Sequence, residues 1–432
     1  MGDGVEQSSI EGSPRAVFVA RDGAEVWRRY WSRIEMMRRE GLEVDVLAPR
    51  GEGLRELAAR GVRTRSIPVG KAHNAAGLLG AYFMVQAHLI ETQPLMVHAF
   101  GHRVAWMTAF AARQIGGPAT FVSLDYHWLE EDPLKMPLGP LGSLGVPEWV
   151  VSAEEGLNQV AGMPFRQWMK RSYRWLADQV DRYVVSTEFD FQLVQDLEIV
   201  SDGRLEITPG GAGVDLGEYK LPEQGDPERE QARSELGLPA KWRQVVGVVG
   251  PLTRRHGADD LLETIEELSR SEPGLGWLVV SRGEVALGQR RRLQPWIDRD
   301  VVRLVDGEAP SALIYRAMSV LGWFGRTLTP HDCILEAAAL CVPTVGYDTP
   351  GARAVVKNGT TGQLVYEGDK ASLVATLARM LRDPSELEDM GWRARSLAGN
   401  QFGRRDVDDQ MVRMYDRVLD AKVAEIGDDS DG

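Results

Sequence analysis

The stretch Val320–Val365 reads VLGWFGRTLTPHDCILEAAALCVPTVGYDTPGARAVVKNGTTGQLV, and its pattern decides the fold class. Val320, Leu321, Trp323 and Phe324 form an apolar run that predicts a buried parallel strand. A polar loop with Gly325, Pro330, His331 and Asp332 follows. Cys333 to Leu340 then predicts a short helix carrying Glu336 in its first two turns, and Val342 to Tyr347 a second buried strand. Thr349-Pro350-Gly351 opens another helix. Strand, loop and helix N-terminus, twice over, is the geometry that collects phosphate or sugar hydroxyls at the carboxyl ends of a parallel sheet. A carboxylate at such a helix start accepts hydrogen bonds from ribose or sugar hydroxyls. An ordinary βαβ unit with routine capping has the same local pattern, so the stretch alone leaves both readings open.

The same alternation runs upstream. Strands are predicted over 15–20, 42–48, 62–68, 95–100, 119–124, 182–186 and 205–208, with helices over 25–39, 54–59, 75–91 and 103–115 between the first of them. In the first helix Trp27, Tyr30, Trp31, Ile34 and Met37 share a face, and Gly41 stops it. The pattern breaks between Tyr126 and Glu154, a Pro-, Gly- and Leu-rich segment of the kind that serves as a lid or binding loop. Phe165–Ala177 follows, with Trp168, Met169, Tyr173 and Trp175 among Arg166, Lys170, Arg171 and Arg174. It reads either as a surface helix packing its aromatics on the core or as a basic-aromatic face for a membrane surface or lipid-linked acceptor.

The charged, proline-punctuated Leu221–Pro227 reads as a linker. A second alternation then begins, with strands over 244–252, 277–281, 301–305, 320–324 and 342–347 and a helix over 259–269. Residues 371–381 and 386–419 read as helical. The expected layout is a leader over 1–13, a first domain over 14–217, a second over 218–398, a helical segment over 399–425 packing back toward the first, and an acidic tail over 426–432. The fold class is α/β, two parallel-sheet domains whose carboxyl edges face each other across a cleft.

Composition narrows the function. The 432 residues carry a formal charge of −13, which argues against nucleic acid and anionic lipid as bulk electrostatic partners. The two cysteines, Cys333 and Cys341, build no disulfide framework and suit a reducing, cytoplasmic setting. The polar N-terminus lacks the pattern of a signal peptide, and no run of 18 apolar residues reads as a membrane span. His98 and His102 have a metal-like spacing but straddle a strand end and its loop, with no third ligand nearby; no metal is expected.

An anion site is expected at Gly250–Gly257, GPLTRRHG. Gly250 and Gly257 permit close backbone approach, the helix from Ala258 aims its N-terminus there, and Arg254, Arg255 and His256 add donors and charge. His102, His127 and His331 each lie at or near a predicted strand end, as candidates to line the cleft. The chain has no Gly-x-Ser-x-Gly elbow, no P-loop lysine signature and no Gly-x-Gly-x-x-Gly after the first strand, which sets aside hydrolase, kinase and dinucleotide-binding readings.

These pieces together resemble the family 4 retaining glycosyltransferases of GT-B fold, from about Arg15 to Leu419. The likeness is carried by FVARDGAEVWRRYWSRIEMMRREGLEVDVLAPRGEGLRELAARGV, VHAFGHRVAWMTAFAARQIGGP and ITPGGAGVDLGEY in the first half, and by VVGVVGPLTRRHGADDLLETI and LEAAALCVPTVGYDTPGARAVVKNGTTGQLV in the second. The resemblance implies two Rossmann-like domains, the first for the acceptor and the second for a nucleotide-diphosphate sugar. It implies that Glu336 holds the donor ribose and that Gly250, Arg254, Arg255, His256 and Gly257 meet the diphosphate, with Gly351 beside them.

No metal or separate cofactor is implied; the nucleotide sugar is the donor substrate. The acceptor would be a glycan, a lipid-linked species or a small molecule, with peripheral membrane contact through Phe165–Ala177 at the inner face. Three departures stand out. The family's second Glu, eight positions before Glu336, is Leu328 here. The usual Gly-Arg-Leu is Gly250-Pro251-Leu252, and the usual Lys before the second Gly is His256. The acceptor-domain His falls near Asp125, with His127 two residues on. His331, Asp332 and His127 are therefore the candidates for sugar contact and catalysis. The departures also leave open a non-catalytic binding or regulatory relative, or another GT-B activity such as a sugar-nucleotide epimerase.

Overall fold

The computed structural model describes residues 14–69, 75–116, 118–123, 173–196, 198–201, 203–208, 211–221, 227–253, 256–281, 287–306, 311–325 and 332–430. They form two compact units. One takes the described residues of Met1–Val184, Leu193–Glu206 and Asp408–Gly432; the other takes those of Val185–Gln192 and Ile207–Val407. The final helix, Arg404–Ser430, thus leaves the second unit after its first turn.

The first sheet has seven strands: β1 (Arg15–Ala20), β2 (Glu43–Ala48), β3 (Arg63–Ser66), β4 (Met96–Phe100), β5 (Ala119–Ser123), β6 (Arg182–Val185) and β7 (Leu205–Ile207). Their order is β3-β2-β1-β4-β5-β6-β7. β1 runs parallel to β2 and β4, β2 to β3, β4 to β5 and β5 to β6. The inner strands are buried almost throughout, as a sheet covered on both faces requires.

The second sheet has six strands, β8 (Gln244–Gly250), β9 (Leu275–Ser281), β10 (Val302–Asp306), β11 (Val320–Trp323), β12 (Thr344–Tyr347) and β13 (Gly362–Val365), in the order β10-β9-β8-β11-β12-β13. Its neighbouring strands all pair in parallel. Alternation along the strands feeds a separate core on each face. Val245, Val249, Leu278, Val280, Leu321 and Trp323 join one, and Val246, Trp277, Val279, Val320, Val345 and Tyr347 join the other. Both sheets have the Rossmann order, which reverses direction once, at β1/β4 and at β8/β11.

Local chemistry explains most boundaries. Asp22 caps the helix Gly23–Arg39 through a bond from the Ala24 amide at 2.9 Å. Gly41 ends that helix at φ +92°, and the Leu42 amide returns to the Met37 carbonyl at 3.0 Å. β12 starts at Thr344 rather than Val342, because Pro343 has no amide to give the ladder. β13 is absent from the alternation read in the sequence. Its GQLV holds only two apolar residues, too few for a periodic signal.

The face read on the first helix is buried to different depths along its length. Tyr30, Ile34 and Met37 are buried, but Trp27 and Trp31 lie half-buried against each other with centroids 5.3 Å apart. The Arg60 guanidinium sits 4.0 Å over the Trp27 ring, a cation–π contact at the surface. The fully buried place goes instead to Arg33, 2% exposed, whose Nε donates to Asp408 Oδ1 at 3.0 Å. His98 is no metal ligand here, since Tyr415 Oη and Ser123 Oγ occupy its two ring nitrogens at 2.6 and 2.8 Å.

Candidate functional site

The candidate site lies in the second unit, where β8 and β11 diverge at their carboxyl ends. That crevice is where an open parallel sheet takes its ligands, because the flanking loops turn to opposite faces. β8 ends at Gly250, and the loop after it leads to the helix Ala258–Ser271.

The two glycines of that loop do different things. Gly257 has φ +75°, and a Cβ there would stand 2.1 Å from the Phe324 carbonyl oxygen. It therefore lets the helix start dock onto the backbone just after β11, and its demand is structural. Gly250 has φ +148°, yet among the described residues no atom lies within 4 Å of where its Cβ would be. That open space beside a strand end leaves room for a ligand to approach the backbone.

The loop is braced from within. Thr253 Oγ1 lies 2.6 Å from His256 Nδ1, and the His256 and Ala258 amides both donate to the Thr253 carbonyl, at 3.0 and 3.1 Å. His256 is thus held on the loop with its ring oriented. The first turn of the following helix carries Asp259 and Asp260, which complement the helix dipole. Asp259 pairs with Arg292, and Asp260 Oδ2 accepts from the buried Tyr347 hydroxyl at 3.0 Å. These two carboxylates offset the positive end of the helix dipole.

Beyond β11, the helix Asp332–Ala339 carries Asp332 in its first turn and Glu336 one turn on. Both are half-buried, while Cys333, Ile334, Leu335 and the alanines go into the core. Asp332 is the first helical residue rather than lying in the preceding loop. Tyr315, on the helix Ser311–Arg316 before β11, is fully buried and donates its hydroxyl to Glu336 Oε2 at 2.7 Å. The Tyr315 hydroxyl thus holds one oxygen of the half-buried Glu336 carboxylate. Gly351 sits buried in the helix Pro350–Val355, whose cap Thr349 accepts from the Ala352 amide at 3.4 Å.

Gly250, His256, Gly257, Asp332, Glu336 and Gly351 thus all lie in one unit, on the loops and helices that follow β8, β11 and β12. Arg254, Arg255, His127, His331 and Leu328 lie outside the described residues, as does the side chain of His102. Among the described residues no group of three His, Cys, Asp or Glu side chains could hold a metal ion. Tyr315, Tyr347 and Thr253 were not picked out from the sequence. A tyrosine directly after an apolar run, as in Ala312-Leu313-Ile314-Tyr315, is a usable signal, since a buried phenol seeks a partner for its hydroxyl.

Two Rossmann-like domains, with a glycine-punctuated loop and a carboxylate-bearing helix at the second switch point, define a GT-B architecture. Comparison with known proteins agrees. The model for a glycosyl transferase 4-like domain matches residues 25–211, and that for glycosyl transferases group 1 matches residues 243–383. The chain belongs to the family 4 glycosyltransferases of GT-B fold.

A D-inositol 3-phosphate glycosyltransferase from Nocardia farcinica is 28% identical over 225 residues, 50% of this chain and 48% of that protein. The chain spans about half the length of the curated relatives it matches. Among solved structures, sucrose-phosphate synthase from Thermosynechococcus elongatus superposes with a TM-score of 0.70 at 16% identity, over 94% of this chain and 100% of that one. Anabaena HepE in complex with UDP-glucose gives 0.69 at 14% identity, over 93% and 99%. Among the described residues, no helix is long and apolar enough to cross a membrane.

Proposed function

We propose that the chain moves a sugar from a nucleotide-diphosphate sugar to an acceptor hydroxyl with retention, in glycan, polysaccharide or glycolipid synthesis. The observation that carries this reading is Glu336, a half-open carboxylate oriented by a buried hydroxyl beside the β8/β11 switch point. Glu336 accepts the ribose hydroxyls of the donor. Gly250 and the loop to Gly257 receive the diphosphate, with Arg254, Arg255 and His256 supplying positive charge and N–H donors to the leaving group. His331, Asp332 and His127 are the candidates for contacts to the sugar and acceptor. No metal or separate cofactor enters the proposal.

The test is calorimetric titration with nucleoside diphosphates. Glu336→Ala should lose about 1.5–3 kcal/mol for each charge-assisted hydrogen bond to the ribose, with the fold unchanged. Unchanged affinity in the variant would reject the ribose role. A second reading, a binding or regulatory relative without turnover, is favoured by Leu328 standing where the family has a carboxylate. Nucleotide-sugar binding with neither transfer nor hydrolysis across a broad donor and acceptor panel would establish it instead.

We place the protein in the cytoplasm, with peripheral contact at the inner membrane face through Phe165–Ala177. Support comes from the described end of that segment. Trp175 is 42% exposed and stacks on Trp106 with centroids 5.4 Å apart, next to Phe110 at 41% exposure. An interfacial aromatic cluster of this kind suits the headgroup region. Trp175→Ser should reduce co-sedimentation with anionic vesicles; an unchanged bound fraction removes the membrane contact.

A further inference from the structure

We propose that the outward face of the helix Ala75–Thr92 is an interface at which a second copy of this chain docks, its own helix antiparallel to the first about a two-fold axis.

A helix at the surface of a folded domain ordinarily turns an apolar stripe to the core and charged residues to water. This helix does not. From Ala75 to Ile90 it holds no Asp, Glu, Lys or Arg. Ala81, Val85 and Leu89 turn inward and are fully buried. The opposite face carries Leu79, Phe83, Ala87 and Ile90, with Leu79 57%, Phe83 56% and Ile90 54% exposed. Their spacing of four, four and three residues keeps them in one stripe along the helix. Half-buried Tyr82 and Met84 flank it. Both faces of the helix are therefore apolar, and the outer one meets water. Exposed apolar surface on the order of a few hundred Å², gathered in one place, marks a contact surface.

Charge, shape and the lack of cations select a second copy as the occupant. The chain carries a formal charge of −13, so two copies repel each other over most of their surface. A stripe without charged side chains is where that repulsion is least and where the uncharged core of an interface belongs. The stripe also complements itself. With the two-fold axis near Met84 and Val85, antiparallel pairing sets Leu79 against the second copy's Ile90 and Phe83 against its Ala87. Large then meets small at the centre, as two helices packed about 8–10 Å apart require. Self-complementarity of one patch is the condition for an isologous two-fold contact. A helix that binds a membrane surface carries Lys or Arg beside its apolar face, and this stretch has neither. The stripe is also set apart from Trp175. Tyr82 and Phe110 lie between them, their rings 5.7 Å apart, with Tyr82 touching Phe83 and Phe110 touching Trp175.

The test is sedimentation equilibrium of the full chain across micromolar concentrations. The wild type should pass from monomer to dimer in that range, since a patch this size is small for a protein interface. Phe83→Ser should weaken association at least about thirtyfold, the effect of losing one aromatic anchor. Leu79→Lys and Ile90→Glu should each weaken it as well. In the antiparallel register the two substitutions face each other twice across the axis, and within one helix they stand too far apart to pair. The double variant should therefore associate more tightly than either single one. All these positions are exposed, so the melting temperature of the monomer should hold.

A wild type that stays monomeric throughout overturns the proposal, as does unchanged association in Phe83→Ser. Losses that simply add in the double variant overturn the antiparallel two-fold contact. A monomeric wild type that co-sediments with neutral phosphatidylcholine vesicles, and no longer does so in Phe83→Ser, would make lipid the occupant instead of a second copy.

Discussion

The two units handle buried polar groups in opposite ways. In the first, a polar cluster on the helix Gly23–Arg39, β4 and the final helix is buried. His98 and Asp408 are 0% exposed, and Arg33 and Tyr415 are 2% exposed. Arg33 donates to Asp408 and to the Tyr415 hydroxyl. The Tyr415 hydroxyl lies 2.6 Å from His98 Nδ1, and Ser123 Oγ lies 2.8 Å from His98 Nε2. Burial pushes the Tyr415 phenol up to about 12. Burial, with the nearby Arg33 charge adding to it, holds the His98 imidazole well below its usual range. In the second unit the tyrosines are equally buried, but the carboxylates they serve, Glu336 and Asp260, are half open to water.

A buried network of this kind contributes to stability. A half-open pair contributes less to folding, because water can compete for one side of it. Perturbing the first cluster should therefore act on unfolding, and perturbing the second on binding.

The largest expected effect is on the sealed side. Arg33→Met strands the buried Asp408 carboxylate and should cost about 3–5 kcal/mol in urea unfolding, with much of it recovered by pairing the change with Asp408→Leu. A loss below about 1 kcal/mol would show that water reaches the cluster, and the comparison would break.

Next comes Gly257, where the candidate site leans on packing. Gly257→Ala meets both a strained backbone angle and the Phe324 carbonyl, and should cost about 2–5 kcal/mol. Gly250→Ala meets only the strained angle, for about 1–3 kcal/mol. Equal losses at the two positions would mean that Gly250 is packed as tightly as Gly257.

The smallest is a pH effect. His98 stays neutral in the folded protein, whereas the unfolded chain protonates it near 6.5. Below that pH the unfolded state binds the extra proton, so stability falls as pH drops, at up to about 1.4 kcal/mol per pH unit. Unfolding followed from pH 7.5 to 5.5 should show this slope, reduced in His98→Gln; an unchanged slope in the variant would place the titration elsewhere.

The legible part of the site was the part written in consecutive residues. Glu336 on its helix, the glycines of the loop after β8 and the Pro350–Val355 helix could all be placed from spacing alone. Tyr315 was passed over because nothing within its own helix points to a carboxylate 21 residues away. Trp27 and Trp31 share a face with Tyr30 and Ile34 by helical spacing, which cannot say which neighbour covers each of them. The neighbour proved to be an arginine at the surface.

The sequence by itself determined the alternation of strands and helices, the parallel character of the sheets and the family. Each follows from local hydrophobic periodicity, glycine and proline positions and contiguous motifs. Only the tertiary structure decided which polar groups are sealed and which are open. Arg33 meets Asp408 across 375 residues, and His98 meets Tyr415 across 317. Such pairings are selected by the topology that brings the final helix back to the first sheet, and no local propensity carries that information.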